Sequence, residues 1–476
     1  MDTQQEKKLL QSLYDRIFEA ITYAPEGNTG DYDPKTTLVQ LSKNEAIDPA
    51  DFKNQVSPMT PNGDLNAAEQ FSAMVDTVPA VQADYIPSNL ALSKTYQQIV
   101  DNANTKAVVN PAQKKTYDAA YAFLNTEQSI PNFEGPPSVT TVPSAIAQTY
   151  NNNQAAYVTA LGGYRIAQNG YDLSKPEDQR AWQAIAPGLQ LNIDQTWNKW
   201  TQGGKQNVEQ AQNAMVATIN DITSSIIASS QRAVAPDNWK AAGPAGQPWL
   251  LSYALPGDWA KGSAGATEFS LTSSALNTQS DSNFNSYGGG ASWGGGLWSV
   301  GGSFNHSDGE TSFHMDANNV SIKAKLTLVR IMRPWLNPLL FRAAGWWLKD
   351  QAVNSISNGA LKNNSRGMLP LMPSAFVVMS EVEITADFST EDKKHIESAT
   401  SGSTSVGWGP FSIGGSYSHS ESHDKFAATY DAGTIKIPGM QVVAWVSEIT
   451  PASAPMAQST KSTPTEASKA FKAETV

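Results

Sequence analysis

The chain has 476 residues and a mass of 51.1 kDa, enough for more than one core, since single cores rarely grow past about 250 to 300 residues. Its 33 Lys and Arg against 44 Asp and Glu give a formal charge of −11, which removes the basic face that phosphate neutralisation needs and so excludes nucleic acid as a partner. With no cysteine, disulfides, thiolate metal sites and cysteine nucleophiles are excluded, and the redox compartment stays open.

The first residues, MDTQQEKKLLQSLYDRIFEAI, lack the uninterrupted apolar core and small-residue cleavage site of a secretory signal. Cytoplasmic synthesis is the expectation, with later release needed for any extracellular action. Leu10, Leu13, Tyr14, Ile17, Phe18 and Ile21 recur at steps of three and four, which predicts an amphipathic helix. Pro25, Gly27, Gly30, Pro34, Pro49, Pro58 and Pro61 then break the chain into a long connection with room only for short elements. Helices follow at about 65–78, 92–107 and 111–126, the last opening on Pro111.

Two long Ala- and Asn-rich helical patterns come next, roughly 143–169 and 188–232. A shorter helix lies between them, and Ser174 and Glu177 before it have capping-box spacing. Val208, Ala211, Met215, Ile219, Ile222 and Ile226 make one apolar stripe at a mean step of about 3.6, which a straight helix satisfies without a coiled coil. An ordinary intramolecular bundle, with Trp197 and Trp200 in its core, buries that stripe as well as an oligomerisation shaft does, and is preferred.

Beyond a linker rich in Pro, Gly and Trp (235–262), the chain matches itself. Residues 299–307 read SVGGSFNHS and 412–420 read SIGGSYSHS, an offset of 113 that also aligns Leu271 with Ile384, Phe313 with Phe426, Ile322 with Ile435 and Val329 with Val442. We read this as a tandem duplication. The fold class expected is α+β: an N-terminal α-helical domain with long helices (1–234), then a C-terminal antiparallel β-rich domain of two tandem repeats offset by about 113 residues. The repeats span 263–334 and 374–450, separated by 335–373, and the tail 451–476 has the composition of a disordered segment.

Each copy reads as a long strand, a Gly/Ser-rich excursion and another long strand. Phe376, Val378, Val382, Ile384 and Phe388 alternate with Val377, Glu381, Glu383, Thr385 and Asp387, predicting one face on a core and the other largely on water. The excursions alternate too, placing Trp298, Val300, Phe304 and His306 on one side in the first copy and Phe411, Ile413, Tyr417 and His419 in the second. A bilayer-crossing barrel strand needs about 9 to 11 such residues, so Trp298, Val300, Phe304, Phe411, Ile413 and Tyr417 are candidate membrane-facing residues. Half-buried strands of a β-sandwich alternate in the same way. Trp346 and Trp347 join the candidates through the apolar run Trp335–Leu348, which at about 14 residues is too short for a spanning helix and otherwise closes the base of a sheet.

All five histidines lie in the duplicated half, and His306 and His419 occupy matched positions, which makes them candidates for a pH switch. A metal site from His419 and His423 is the weaker alternative, since no helix puts them on one face. GGGASWGGG (288–296) lacks the Lys-Ser/Thr ending of a phosphate loop. No nucleophile–base pair or paired carboxylate stands out, so the chain is expected to be non-enzymatic, with no cofactor and no metal. Two functions follow: a soluble, toxin-like protein whose partner is a lipid membrane and which assembles as a homo-oligomeric β-hairpin pore, or a self-assembling structural or binding scaffold with a β-sandwich and helices that oligomerise.

Overall fold

The computed structural model describes residues 3–23, 32–43, 45–130, 137–243, 246–261, 266–272, 296–300, 311–315, 317–360, 367–401, 405–419 and 424–458. The described part is an α+β protein, helical toward its N-terminus and built on antiparallel sheets toward its C-terminus.

Helix α1 (Thr3–Thr22) buries the predicted stripe, with Leu10, Leu13, Tyr14, Ile17 and Ile21 each at most 3% exposed. Among its described residues, the connection that follows holds β1 (Thr37–Leu41) and β2 (Ala46–Ile47) as strands. Helix α2 (Leu65–Val75) starts where the Asp64 side chain accepts from the Asn66 and Ala67 amides, satisfying two of the donors every helix start leaves open. Helix α3 (Leu92–Asp101), β3 (Ala103–Thr105) and α4 (Pro111–Leu124) come next, α4 with Asn110 as its cap and Pro111 in its first turn. A hairpin of β4 (Asn125–Ile130) and β5 (Ser138–Pro143) leads to α5 (Ala145–Gln168), capped by Ser144.

Helices α6 (Pro176–Gln202), α7 (Lys205–Thr218) and α8 (Thr223–Ala233) correct two expectations. The cap of α6 is Lys175 without a side-chain bond, because Ser174 Oγ is spent on Asp172 Oδ1 at 2.6 Å. The single stripe from Val208 to Ile226 is split between α7, a 3-10 turn at Ile219–Asp221 and α8, while Gly203 and Gly204 separate α6 from α7. Gly204 has φ +92, a left-handed conformation that costs glycine nothing. The stripe still packs inside one core with Tyr150, Tyr157 and Trp200, as a bundle.

The second half supplies β6 (Tyr253–Leu255), β7 (Thr267–Thr272), β8 (Trp298–Val300), β9 (Thr311–Phe313), β10 (Ala317–Met332), β11 (Trp346–Leu348) and β12 (Leu371–Phe388). Helix α9 (Thr390–Thr400) is followed by β13 (Val406–Trp408), β14 (Phe411–Ser416), β15 (Lys425–Ala427), β16 (Thr429–Asp431) and β17 (Thr434–Ile449). The main sheet runs β1-β17-β12-β10-β6, with β7 also on β10 and β2 and β16 also on β17. The register carries the sequence offset: Leu271 faces Ile322 as Ile384 faces Ile435, and Ser270 faces Lys323 as Glu383 faces Lys436. The short strands differ, because Trp298 faces Phe313 whereas Phe426 faces Gly415.

The centre of this sheet is buried on both faces, unlike the half-wet strand expected for β12. Ala375, Val377 and Met379 meet α1 and the excursion residues on one side. Phe376 and Val378 meet Phe71, Trp259 and Trp445 on the other. Along β12 Glu381, Thr385 and Asp387 are exposed and Met372, Ser374 and Glu383 half-buried, so the expected wet face is present from Glu381 onward. Strand β1, from the helical half, pairs along its whole length with residues 444–448 of β17, so the halves share one sheet. The run from Trp335 to Leu348 closes a core: a 3-10 turn at Pro338–Arg342, then β11 paired with β3. Within 451–458 Ser453 and Ala454 are buried, Ser453 bonding both ways with Ser357, while Ala452 and 455–458 are exposed; 459–476 lie outside the described residues.

Candidate functional site

Strands β7 and β10 bracket the first excursion and β12 and β17 the second. Thr272 faces Ser321 and Thr385 faces Thr434, while β10 and β12 meet at Ala317 and Phe388. Both excursions therefore leave the same end of an antiparallel run β7-β10-β12-β17. Their described parts meet in a second sheet of order β15-β14-β13-β8-β9, where Trp408 of the second copy faces Trp298 of the first.

Trp298, Phe411 and Ile413 are fully buried, in one core with Leu10, Leu13 and Ile17 of α1. Trp298 Nε1 donates to Asp392 Oδ1 at 2.7 Å, and His395 stacks on its ring at 5.4 Å between centroids. Asp392 is held by the capping box of α9, in which Ser389 Oγ accepts from the Asp392 amide and Asp392 Oδ2 from the Ser389 amide. Helix α9 thus fixes the acceptor that seats the first copy's tryptophan. Trp346 is fully buried in the other core, its Nε1 donating to the Ala343 carbonyl at 2.9 Å. Val300, Trp347 and Tyr417 are half-buried, Tyr417 stacked on Phe426 at 4.9 Å. In this state, then, Trp298, Phe411, Ile413 and Trp346 are interior side chains, because each fills a core or bonds an interior acceptor. Phe304 and His306 lie outside the described residues, as does His423.

His419, with φ +59 at the end of the second excursion's strand, places Nε2 3.2 Å from Glu45 Oε1. Glu45 is fully buried, and its Oε2 accepts from Trp445 Nε1 at 3.0 Å and from Ser42 Oγ. A serine, a carboxylate and an imidazole are present, but the carboxylate lies in the middle. Ser42 Oγ donates to Glu45 instead of to the ring nitrogen, so the three do not form the hydroxyl–imidazole–carboxylate order of a catalytic triad. In the first copy His314 Nδ1 lies 2.7 Å from Glu6 Oε2, and the Met315 amide donates to Glu6 Oε1. Sequence reading missed Glu6, Glu45 and Asp392. The spacing of Ser389 and Asp392 was a findable signal; for the glutamates, whose partners lie hundreds of residues away, there was none.

Burial also shapes the polar groups behind the sheet. Arg333, half-buried, is pulled down to about 10 by desolvation, which the neighbouring Asp76 opposes, and burial raises the Asp76 carboxyl in turn. Arg333 donates to the Pro373 and Val75 carbonyls, a structural role. Two adjoining clefts of about 710 and 590 Å3 lie between α4, α8 and Trp335. Among the described residues no cluster of three or more His, Asp and Glu is placed to hold a metal, and no helix is long and apolar enough to cross a membrane. No protein-family model matches the chain, and no match is found among curated proteins or among solved structures.

Proposed function

We propose that the protein acts on lipid membranes by releasing the paired excursions, which assemble between subunits into a β-hairpin pore. The observation that carries this reading is the shared exit: both excursions depart from one end of β7-β10-β12-β17, between Thr272 and Ala317 and between Phe388 and Thr434. Each interval holds roughly 44 residues, more than the two strands of about 9 to 11 residues and a turn that one spanning hairpin needs, and their flanking strands are already antiparallel and in register. In lipid every backbone N–H and C=O needs a partner, which a closed barrel of such hairpins provides. Trp298, Trp408, Phe411 and Ile413 are buried now, and exposing each to water costs roughly 1.5–3 kcal/mol. A bilayer, as an apolar receiving phase, removes that cost where water does not.

Dye release from anionic and neutral liposomes between about pH 5 and 8 tests the reading. Leakage that grows with protein concentration supports it; none, from protein with an intact near-ultraviolet circular dichroism spectrum, overturns it. A second reading, a self-assembling scaffold, draws on the burial of Trp298, Phe411, Ile413 and Trp346, which suits a rigid packed sheet. Rings or filaments formed without lipid in electron micrographs would favour it.

A further inference from the structure

We propose that the N-terminal segment is a latch that holds both excursions closed through two buried carboxylates, Glu6 for the first and Glu45 for the second. Its purpose rests on the membrane reading above, whereas the latch itself is defined without lipid.

Glu6 is 3% exposed and grips the returning stem of the first excursion, facing the His314 ring and accepting from the Met315 amide. Ten residues along α1, Arg16 donates to the carbonyl of Ser270 in β7, on the outgoing stem, and to the Asn169 carbonyl at 2.9 Å. Helix α1 therefore straddles both stems of one excursion. Between these polar contacts Leu9, Leu10, Leu13 and Tyr14 share a core with Leu297, Trp298, Trp408 and Phe411. Gly409, at the β13–β14 turn, leaves a Cβ-sized space only 3.5 Å from Leu10 Cδ2. At the second excursion Glu45 faces His419, and the Ser418 amide donates to the Ala46 carbonyl at 2.7 Å. A buried carboxylate has no water to replace a lost donor, so these contacts form and break as units. The arrangement holds stretches of both excursions by residues of the N-terminal segment, from α1 for the first and from Glu45 and Ala46 for the second.

The test uses the full chain with Glu6→Gln and Glu45→Gln together, neutral isosteres that keep shape and drop charge. Hydrogen exchange without lipid is followed at 297–300, 311–315 and 406–418, against β10 and β12 as reference, β17 being left out because Trp445 bonds Glu45. The latch predicts exchange faster by roughly tenfold or more in the excursion stretches, the scale of one charge-assisted hydrogen bond, with the reference strands unchanged. Glu19→Gln serves as control, since Glu19 bonds Asn169 Nδ2 at 2.6 Å in place of any excursion residue, and leaves those stretches protected. Unchanged exchange in the double variant overturns the latch. So does a loss spread equally over β10 and β12, which would make these contacts part of the global fold. Where the double variant does not fold, Glu6→Gln alone is followed at 311–315, where faster exchange supports the latch and unchanged exchange overturns it. Liposome leakage then separates the two ideas: faster exchange with faster leakage supports both, and faster exchange without leakage keeps the latch and removes the membrane reading.

Discussion

Asp15 sits on α1 beside Glu19, and burial, reinforced by that like charge, raises its carboxyl from an ordinary 3.8 to about 7. A raised acid holds its proton more tightly in the folded chain than in the unfolded one. Its cost to the fold is therefore absent below about pH 4, grows as pH climbs toward 7 and is complete above that. The side chain is partly exposed, so solvent screening trims the penalty to about 1–2 kcal/mol. Replacing Asp15 with Asn should move the urea midpoint upward at pH 8 and leave it unchanged near pH 4; equal shifts at both would show that the carboxyl is not the source. Mild acid thus seats α1 more firmly through Asp15, so an acid trigger for release has to act elsewhere than through this residue.

At the level of elements, α9 is the piece that ties the two copies together, and its seat is narrow. A Cβ added at Gly414 in β14 would stand 2.5 Å from the Ala399 carbonyl oxygen, inside α9, where backbone cannot yield cheaply. Gly414→Ala should therefore cost about 1–3 kcal/mol in urea unfolding and loosen Trp298, seen as a red shift of tryptophan emission. A neutral result would mean that α9 docks more loosely than its contacts imply. The sequence made α1, α2, α4 and α5 legible, because an apolar stripe or a capping residue is a local signal that packing only reinforces. The register of β7 on β10 and of β12 on β17 was implicit in the 113-residue offset. What stayed hidden was non-local: β1 on β17, β3 on β11 and Glu45 under His419 join residues too far apart for any periodicity to report. Helix α9 was overlooked for a different reason, since its Ser389–Asp392 box lay inside a stretch read by its strand-like flanks.

On the scale of the whole molecule, the expected border near residue 234 divides sequence textures but not cores. Strand β1 pairs over its full length with β17, from Thr37 opposite Glu448 to Leu41 opposite Ala444. Leu9, Leu13 and Ile17 complete the core above Ile322 and Ile384, and Tyr96 of α3 packs on Trp335 and Phe341 at 6.0 Å. A fragment of residues 235–458 would thus carry an open edge at β17 and two uncovered apolar faces, the conditions under which a sheet loses fixed packing or associates. That fragment should bind a hydrophobic dye and show a flat near-ultraviolet circular dichroism spectrum, while the full chain unfolds with tryptophan fluorescence and far-ultraviolet signals coincident. A fragment that unfolds cooperatively on its own would show that the shared sheet is incidental. If the halves are one cooperative unit, release of the excursions has to be local, peeling α1 and its core from one face while Phe71, Trp259, Phe376 and Trp445 hold the other.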